Sequence, residues 1–335
     1  MHNVASVAGC ARSTVSMALR NDPRISVGTR DRVNRAAAQL GYKPNPLVAA
    51  LMTTRRMQRV PTDHATLALV TTHPPADPGR TYPGYQSFIR GAMARAMELG
   101  YTLQEFPFRG VGMTPRRYGQ ILRARNIHGA LIAPLPRNEK RLELNCEDLA
   151  VVGLGMSIVA PSIVRVSNDH FQSMLLAMVE CRKLGYRRIG FVVSRLTSER
   201  LDDRWLSGYL LAVSRFVLIE RLEPLLCERP EDIAAALPAW CGQQRPDVVI
   251  FGNYDPVAPF ALPHGVDTVV LDAESRDGDL TGIFQDDRAV GAIAVEHLVS
   301  RLQRGEFGPD DRARLHFLAG QWAAGRTACG PGVKH

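Results

Sequence analysis

From Ala65 onward the apolar positions fall into short uninterrupted runs separated by amphipathic stretches. LALV (67–70), helical spacing near 85–99, LQEF, helical spacing near 115–125, GALIA (129–133) and LAVVG (149–153) form a first series. VRV (164–166), a helix near 170–184, IGFVV (189–193), helices near 204–216 and 230–241, VVIF (248–251) and TVVL (268–271) form a second. Runs this short, without polar alternation, read as strands buried on both faces. Their alternation with helices predicts parallel sheets of right-handed βαβ units, and two series predict two doubly wound α/β lobes. Leu-Gly-Tyr recurs at Leu40, Leu99 and Leu184, each time closing a helix: a glycine takes the left-handed C-terminal position and an apolar residue follows.

The first 42 residues have a different rhythm. Val4, Val7 and Ala8 share a helical face, Gly9 supplies a tight turn, and Val15, Ala18 and Leu19 mark a second helix within ARSTVSMALRN. Ser26 is a good N-cap for a third, whose stripe is Val33, Ala36, Ala37 and Leu40, with Gly41 at its end. Three short helices, the second basic at its start, fit a helix-turn-helix that offers its second helix to base edges. A small helical bundle of another kind has the same periodicity. In PNPLVAALMTTRR (44–56), Asn45 is an N-cap and Pro46 sits at the first helical position, so a short helix apolar all round is expected. Alone it is too short to be stable in water.

Charge separates the two parts. Residues 1–59 carry ten Lys and Arg against Asp22 and Asp31, whereas the remainder carries 31 of each sign, so the whole excess of +8 lies in the first sixth of the chain. A charge run is ordinarily a solvated face, but such segregation is what a polyanion-binding module on a neutral body requires. With 45% hydrophobic and 22% charged residues the composition is that of a folded globular protein. The longest uncharged stretch, 149–164, is broken by Gly153, Gly155 and Pro161, so no membrane association is expected. The N-terminus has no signal-peptide apolar core, and a cytoplasmic protein is expected. The six cysteines never approach C-x-x-C spacing, which points to buried reduced thiols rather than zinc or disulfides. No P-loop, G-x-G-x-x-G after a strand, G-x-S-x-G or H-E-x-x-H is present, and the nine histidines form no ligand cluster. No enzyme, cofactor or metal is expected.

The stretch VASVAGCARSTVSMALRNDPRISVGTRDRVNRAAAQLGYKPNPLVAAL resembles the DNA-binding headpiece of the lactose-repressor (LacI/GalR) family of bacterial transcription regulators. The pattern is met at Val4, Ala5, Ala8, Gly9, Thr14, Val15, Ser16 and Leu19, and again at Ser26, Thr29, Arg30, Val33, Leu40, Gly41, Tyr42, Pro44 and Asn45. The resemblance implies that Arg12, Ser13, Thr14, Ser16, Met17, Arg24, Arg30 and Asn45 contact DNA. It also implies that the hinge helix orders against its dimer mate in the minor groove, with Leu51 wedged between base steps. The chain departs from the pattern at Cys10 and Ala11, where Val-Ser is usual and a hydroxyl is lost, and at Met17, where arginine is frequent. The threonine that caps the first helix in relatives has no counterpart, so either the start is misassigned or that helix frays.

The remainder resembles the family's effector core, built like a periplasmic sugar-binding protein, with crossovers near Val166 and Gln285. The division expected is a headpiece at 1–44, a hinge and linker at 45–60, and a core at 61–335. Lobe 1 would hold about 65–165 and 286–312, and lobe 2 about 166–285 and 313–326. Mapped residue by residue, the effector contacts fall at Tyr82, Tyr85, Arg204, Trp205, Asn253, Asp272 and Gln285. Asp272 is equally readable as a strand-end turn residue, and Trp205 as core. Prolines 256, 259 and 263 stand where the family has a crossover helix, which they shorten or remove. The function implied is a sequence-specific regulator, repressor rather than activator, binding a palindromic double-stranded DNA operator as a homodimer under control of a sugar or related small effector. The competing readings are a solute-binding protein or enzyme with a sugar-binding-like core, and a regulator whose effector site has decayed.

Overall fold

The computed structural model describes residues 2–19, 24–40, 65–74, 77–80, 82–109, 113–136, 139–217, 219–252, 262–273, 275–310, 312 and 314–331. Asn45, Leu51 and the hinge, together with Asn253 and the proline-rich segment to 261, lie outside the described residues.

Three helices build the headpiece: α1 (His2–Ala8), α2 (Arg12–Ala18) and α3 (Val27–Gln39). Gly9 makes the turn between the first two at φ 60°, a conformation that costs a side-chain-bearing residue strain. Ser26 caps α3 by accepting from the Thr29 amide at 3.4 Å. The core consists of Val4, Ala5, Ala8, Val15, Ala18, Val33, Ala36 and Ala37, with Cys10, Leu19 and Ile25 against it. Two expected core positions are exposed, Val7 at 54% and Leu40 at 45%. On α1 the buried face is set by residues 4, 5 and 8, which leaves residue 7 about 100° away from its centre. Leu40 is the C-cap of α3, past the turn that packs on the other helices.

The body is two six-stranded sheets. The first has β1 (Ala65–Thr71), β2 (Tyr101–Pro107), β3 (Gly129–Ile132), β4 (Ala150–Leu154), β5 (Val164–Asn168) and β11 (Leu315–Leu318), in spatial order 11-5-4-3-1-2. The second has β6 (Ile189–Ser194), β7 (Leu225–Cys227), β8 (Val248–Phe251), β9 (Asp267–Ala273), β10 (Gly282–Phe284) and β12 (Gln321–Ala323), in order 12-10-9-8-6-7. Every pairing is parallel except β10 with β12, the last strand of its lobe. Helices cover both faces of each sheet. In lobe 1, α4 (Pro83–Glu98) and α10 (Asp287–Arg304) bury Leu67, Leu69, Val152 and Val295, and α5 (Pro115–Ala124) buries Tyr118 and Leu122 on the opposite face. In lobe 2, α6 (His170–Lys183) and α8 (Arg204–Arg215) bury Met174, Phe191 and Tyr209, while α9 (Ile233–Gln244) covers the other face through Leu237 and Trp240. The short α7 (Arg195–Arg200) follows β6.

The lobe boundaries differ from the expected ones. Val164–Asn168 pairs with β4, and Leu315–Leu318 pairs with β5, so both strands complete the first sheet. The chain therefore crosses after Asn168, at Gln285 and after Leu318, and the stretch 314–318, expected in lobe 2, belongs to lobe 1. The physical reason is non-local: an apolar run says that a strand is buried, but its partner is chosen by packing. Gly100 and Gly185 take the left-handed conformation after Leu99 and Leu184, as the repeated tripeptide requires.

Helices α4 and α10 touch backbone to backbone. A Cβ on Gly91 would lie 1.9 Å from the Arg288 carbonyl oxygen, and one on Gly291 would lie 2.0 Å from that of Phe88. The contact is reciprocal, and each helix supplies one glycine to it. It joins the first turns of α10 to the middle of α4.

Candidate functional site

Two surfaces have the geometry of a site. On the headpiece, Arg12 and Ser13 open α2 and are exposed, while Thr14 and Met17 are half-buried on the same helix. The α2 backbone enters from Ala11 in an extended conformation, φ −65° and ψ 151°, and no side chain caps it. The first amides of the helix are thus left to other acceptors, and a helix N-terminus carrying partial positive charge attracts phosphate. Arg24 reaches back to the Met17 sulfur at 3.8 Å, and Arg30 donates to the Ile25 carbonyl at 3.2 Å. Of the expected DNA contacts, Ser16 is in α2 with no side-chain description, and Asn45 and Leu51 are outside the described residues.

The second surface is the cleft between the lobes, where strand C-terminal ends and helix N-termini converge, the ordinary ligand position of open α/β sheets. Polar atoms buried without a protein partner gather there: Thr72 Oγ1 after β1, the Tyr85 hydroxyl in the first turn of α4, Asn168 Oδ1 at the end of β5, His170 Nδ1 opening α6, and Arg204 Nε and Trp205 Nε1 opening α8. Unpaired buried polar groups each cost about 1–3 kcal/mol, so their concentration in one place marks chemistry rather than core. Three contacts join the lobes across this line. Tyr82 donates to Asp272, Arg200 donates to the Leu135 carbonyl at 2.7 Å, and the Arg204 guanidinium lies 4.6 Å over the Phe317 ring.

The electrostatics follow from burial. Asp287, in the first turn of α10, is pushed up to about 8 by desolvation and then by the negative charge of Asp272, although a hydrogen bond from Asn168 opposes this. His170 is pushed down to about 3 by complete burial and by Arg204. Burial raises the Tyr85 phenol to about 12 and lowers His73, whose Nε2 is 2.9 Å from the Pro134 carbonyl oxygen.

Sequence reasoning and the cleft overlap in part. Tyr82 and Asp272 meet directly, and Tyr85 lines the same end. Gln285 is 5% exposed and its amide is turned to the Leu271 carbonyl, so it ties the crossover to β9. Trp205 fits the core reading: it is 5% exposed within the lobe 2 core and edge-on to His170 at 5.1 Å, and its indole N–H has no acceptor among the described residues. Thr72, Asn168, His170 and Asp287 were not anticipated. Their signal was positional, since each stands at a strand end or two residues past a crossover. Among the described residues no His, Cys, Asp and Glu group has the arrangement of a metal site, and no helix is long and apolar enough to cross a membrane.

Residues 1–45 match the family model described as "Bacterial regulatory proteins, lacI family". The chain is 26% identical over 219 residues to the HTH-type transcriptional regulator MalR of Streptococcus pneumoniae, an alignment covering 64% of this chain and 63% of MalR. It thus spans less than two thirds of the length of that relative. Among solved structures, the fold superposes on the CelR transcriptional regulator in complex with cellobiose at a TM-score of 0.54 and 19% identity, covering 97% of this chain and 98% of that one. It superposes on the lac repressor dimer bound to operator and an anti-inducer at 0.53 and 16%, covering 98% of each. At such identities these likenesses speak for the fold, and the headpiece match places residues 1–45 with the DNA-binding segment of the bacterial lacI-type regulatory proteins.

Proposed function

We propose that this protein is a cytoplasmic, sequence-specific DNA-binding transcriptional regulator of the repressor type, which binds a palindromic operator as a homodimer and responds to a small molecule held between its lobes. The observation that carries the reading is the family match over residues 1–45, which lies within the 59-residue segment that holds all the excess positive charge. Arg12 and Ser13, exposed at the start of α2, are the base-reading pair, and Arg24 and Arg30 hold the backbone. Leu51 is the minor-groove wedge of the hinge. The exposed face of α4, with Met93 at 48% and Met97 at 69% exposure, is apolar surface that a second copy would cover. MalR is named a transcriptional regulator, and the CelR structure holds a disaccharide. These support a saccharide-sized effector in the cleft lined by Tyr82, Tyr85, Trp205 and Asp272.

The test is selection of bound sequences from a random duplex pool with the full chain, followed by titration of the selected site at several salt concentrations. A two-fold symmetric site is expected, with log K falling against log salt at about −0.9 per phosphate contact. An unenriched pool, or an affinity indifferent to salt, would overturn the reading.

A further inference from the structure

Resting on the cleft reading above, we propose that the molecule bound there carries a protonated primary amine beside its hydroxyl groups, as an amino sugar or amino polyol does, with the ammonium seated between Asp272, Asp287 and Asn168. The two carboxylates come from different lobes, Asp272 from β9 and Asp287 from α10. Both border the Tyr82 side chain. Tyr82 donates its hydroxyl to Asp272, and its ring Cε1 and the Asp287 Oδ2 both crowd the point where Gly84 would carry a Cβ, at 2.9 and 2.6 Å. A side chain on Gly84 would fill that notch.

Asp287 has an ordinary structural explanation as an acid in the first turn of a helix, where it favours the dipole. Two facts make that explanation insufficient. Asp286 already caps α10 by accepting from the Ala289 amide at 2.9 Å, and at 8% exposure the loss of hydration works against a charge on Asp287 that the helix N-terminus alone would favour. Moreover the charged groups acting on Asp287 are Asp272 and Asp286, both acidic, with no cation among them, so a carboxyl has been buried in a field of its own sign. The result is a group that keeps its proton to about pH 8 until a positive charge arrives.

The second, independent observation is Asn168. Its Nδ2 donates to Asp287 Oδ1 at 2.6 Å, and its Oδ1 is buried without a donor in a residue 3% exposed. The seat therefore presents acceptors: a carboxylate oxygen of Asp287, the amide oxygen of Asn168 and the carboxylate of Asp272. An ammonium has three N–H donors and one positive charge to set beside Asp272 and Asp287, whereas a hydroxyl has one hydrogen to give and no charge. Farther along the cleft the Tyr85 hydroxyl and the Trp205 indole N–H suit the hydroxyls of the same ligand. On binding, the ammonium forms its ion pair with ionised Asp287, and the proton that Asp287 held passes to solvent, so charge balances.

The experiment uses the full chain, with glucosamine and galactosamine set against glucose, galactose and the two N-acetyl amines at equal concentrations. Melting temperature and isothermal calorimetry are read between pH 6 and 7.5. The amines are expected to bind at least tenfold more tightly than their neutral counterparts. Their affinity should rise with pH, by up to tenfold per unit, as Asp287 more readily ionises, and up to one proton should be released per amine bound, seen in buffers of different ionisation enthalpy. Asp287→Asn should abolish the preference, the pH slope and the proton release together. Asp272→Asn, which leaves α10 untouched, should weaken the preference in the same direction and stands in if the first variant does not fold. Equal binding of a neutral sugar would overturn the amine and leave the cleft reading intact, as would an amine preference that survives Asp287→Asn. Failure of every compound, charged or neutral, to bind would remove both.

Discussion

The headpiece and the body are built to opposite plans. Among the described residues the buried positions of the headpiece core are valines and alanines, whereas the body buries Tyr118, Tyr186, Tyr209, Phe191 and Phe251 almost completely. Fully burying a valine contributes about 1.5–3 kcal/mol and an alanine less, and a module of about 40 residues is near the size below which a single core is insufficient. Charge follows the same division: the headpiece keeps Arg12, Arg24, Arg32 and Arg35 exposed, while the body folds charges into pairs such as Arg95 with Glu98 and Glu296 at 2.7 Å each, or Arg314 with Asp310 at 2.8 Å. The lesson is a division of labour. The body holds itself together and is electrically quiet, and the headpiece is weakly held and carries the field that finds a polyanion.

The strongest way to break this contrast is to damage the body and look for an effect on the headpiece. Phe191→Ala removes a fully buried ring from lobe 2 and should cost about 3–5 kcal/mol in the main melting transition, with operator affinity per folded molecule unchanged. Loss of affinity in step with stability would show that the two parts are not separable. Next in size, Arg12→Ala should cost about 1–3 kcal/mol of operator binding and relax preference at one symmetric pair of positions, with no change in melting. Uniform weakening on all sequences would make Arg12 a phosphate contact.

A pH titration sharpens the same division. His170 titrates at about 3 when folded against 6.5 unfolded. Between these values the unfolded state holds a proton that the folded state lacks, so the contribution is complete above pH 6.5 and is lost as pH falls, at about 1.4 kcal/mol per unit. Over the same range Asp287, which keeps its proton to about pH 8 when folded, contributes the opposite slope. The readout is therefore a difference: His170→Gln should gain melting temperature relative to the parent as pH falls from 6.5 to 4.5. The smallest effect is a gain: Ala11→Ser restores a cap to α2, whose entry backbone already has the extended geometry a cap needs, and should stabilise the headpiece by about 1 kcal/mol. Headpiece amide exchange should slow while the body transition stays fixed.

What the sequence made legible was local. Val4, Val15, Val33 and their alanine neighbours lie one helical turn apart, and that spacing alone marked the headpiece core. Leu-Gly-Tyr marked where α4 and α6 stop because only glycine takes φ 80° and 97° there without strain. The strands Val164–Asn168 and Leu315–Leu318 were assigned to the wrong lobe because their partners are chosen across the fold, and no neighbour in sequence records that choice. Asp287 was missed for a related reason. Gln-Asp-Asp before an apolar helix reads as capping, and which of the two acids turns to the cleft depends on where α10 is seated. Asp272 and Tyr82 were found because each follows a strand in the pattern the family shares, but their meeting across the lobes was not in the pattern.

The seat of α10 is the glycine crossing with α4, and it behaves as a mechanical coupling. Rods welded at one point cannot tilt independently, and here the weld joins a 16-residue rod to an 18-residue one. Tyr82, Gly84 and Tyr85 stand at the near end of the first, and Asp286 and Asp287 at the near end of the second. Any pull on a phenol or a carboxyl at the cleft is thus shared by both rods and delivered to their far ends, about 24 Å and 27 Å down their axes at 1.5 Å per residue. Replacing either glycine by alanine would not merely crowd the junction; it would separate two levers that now share one fulcrum.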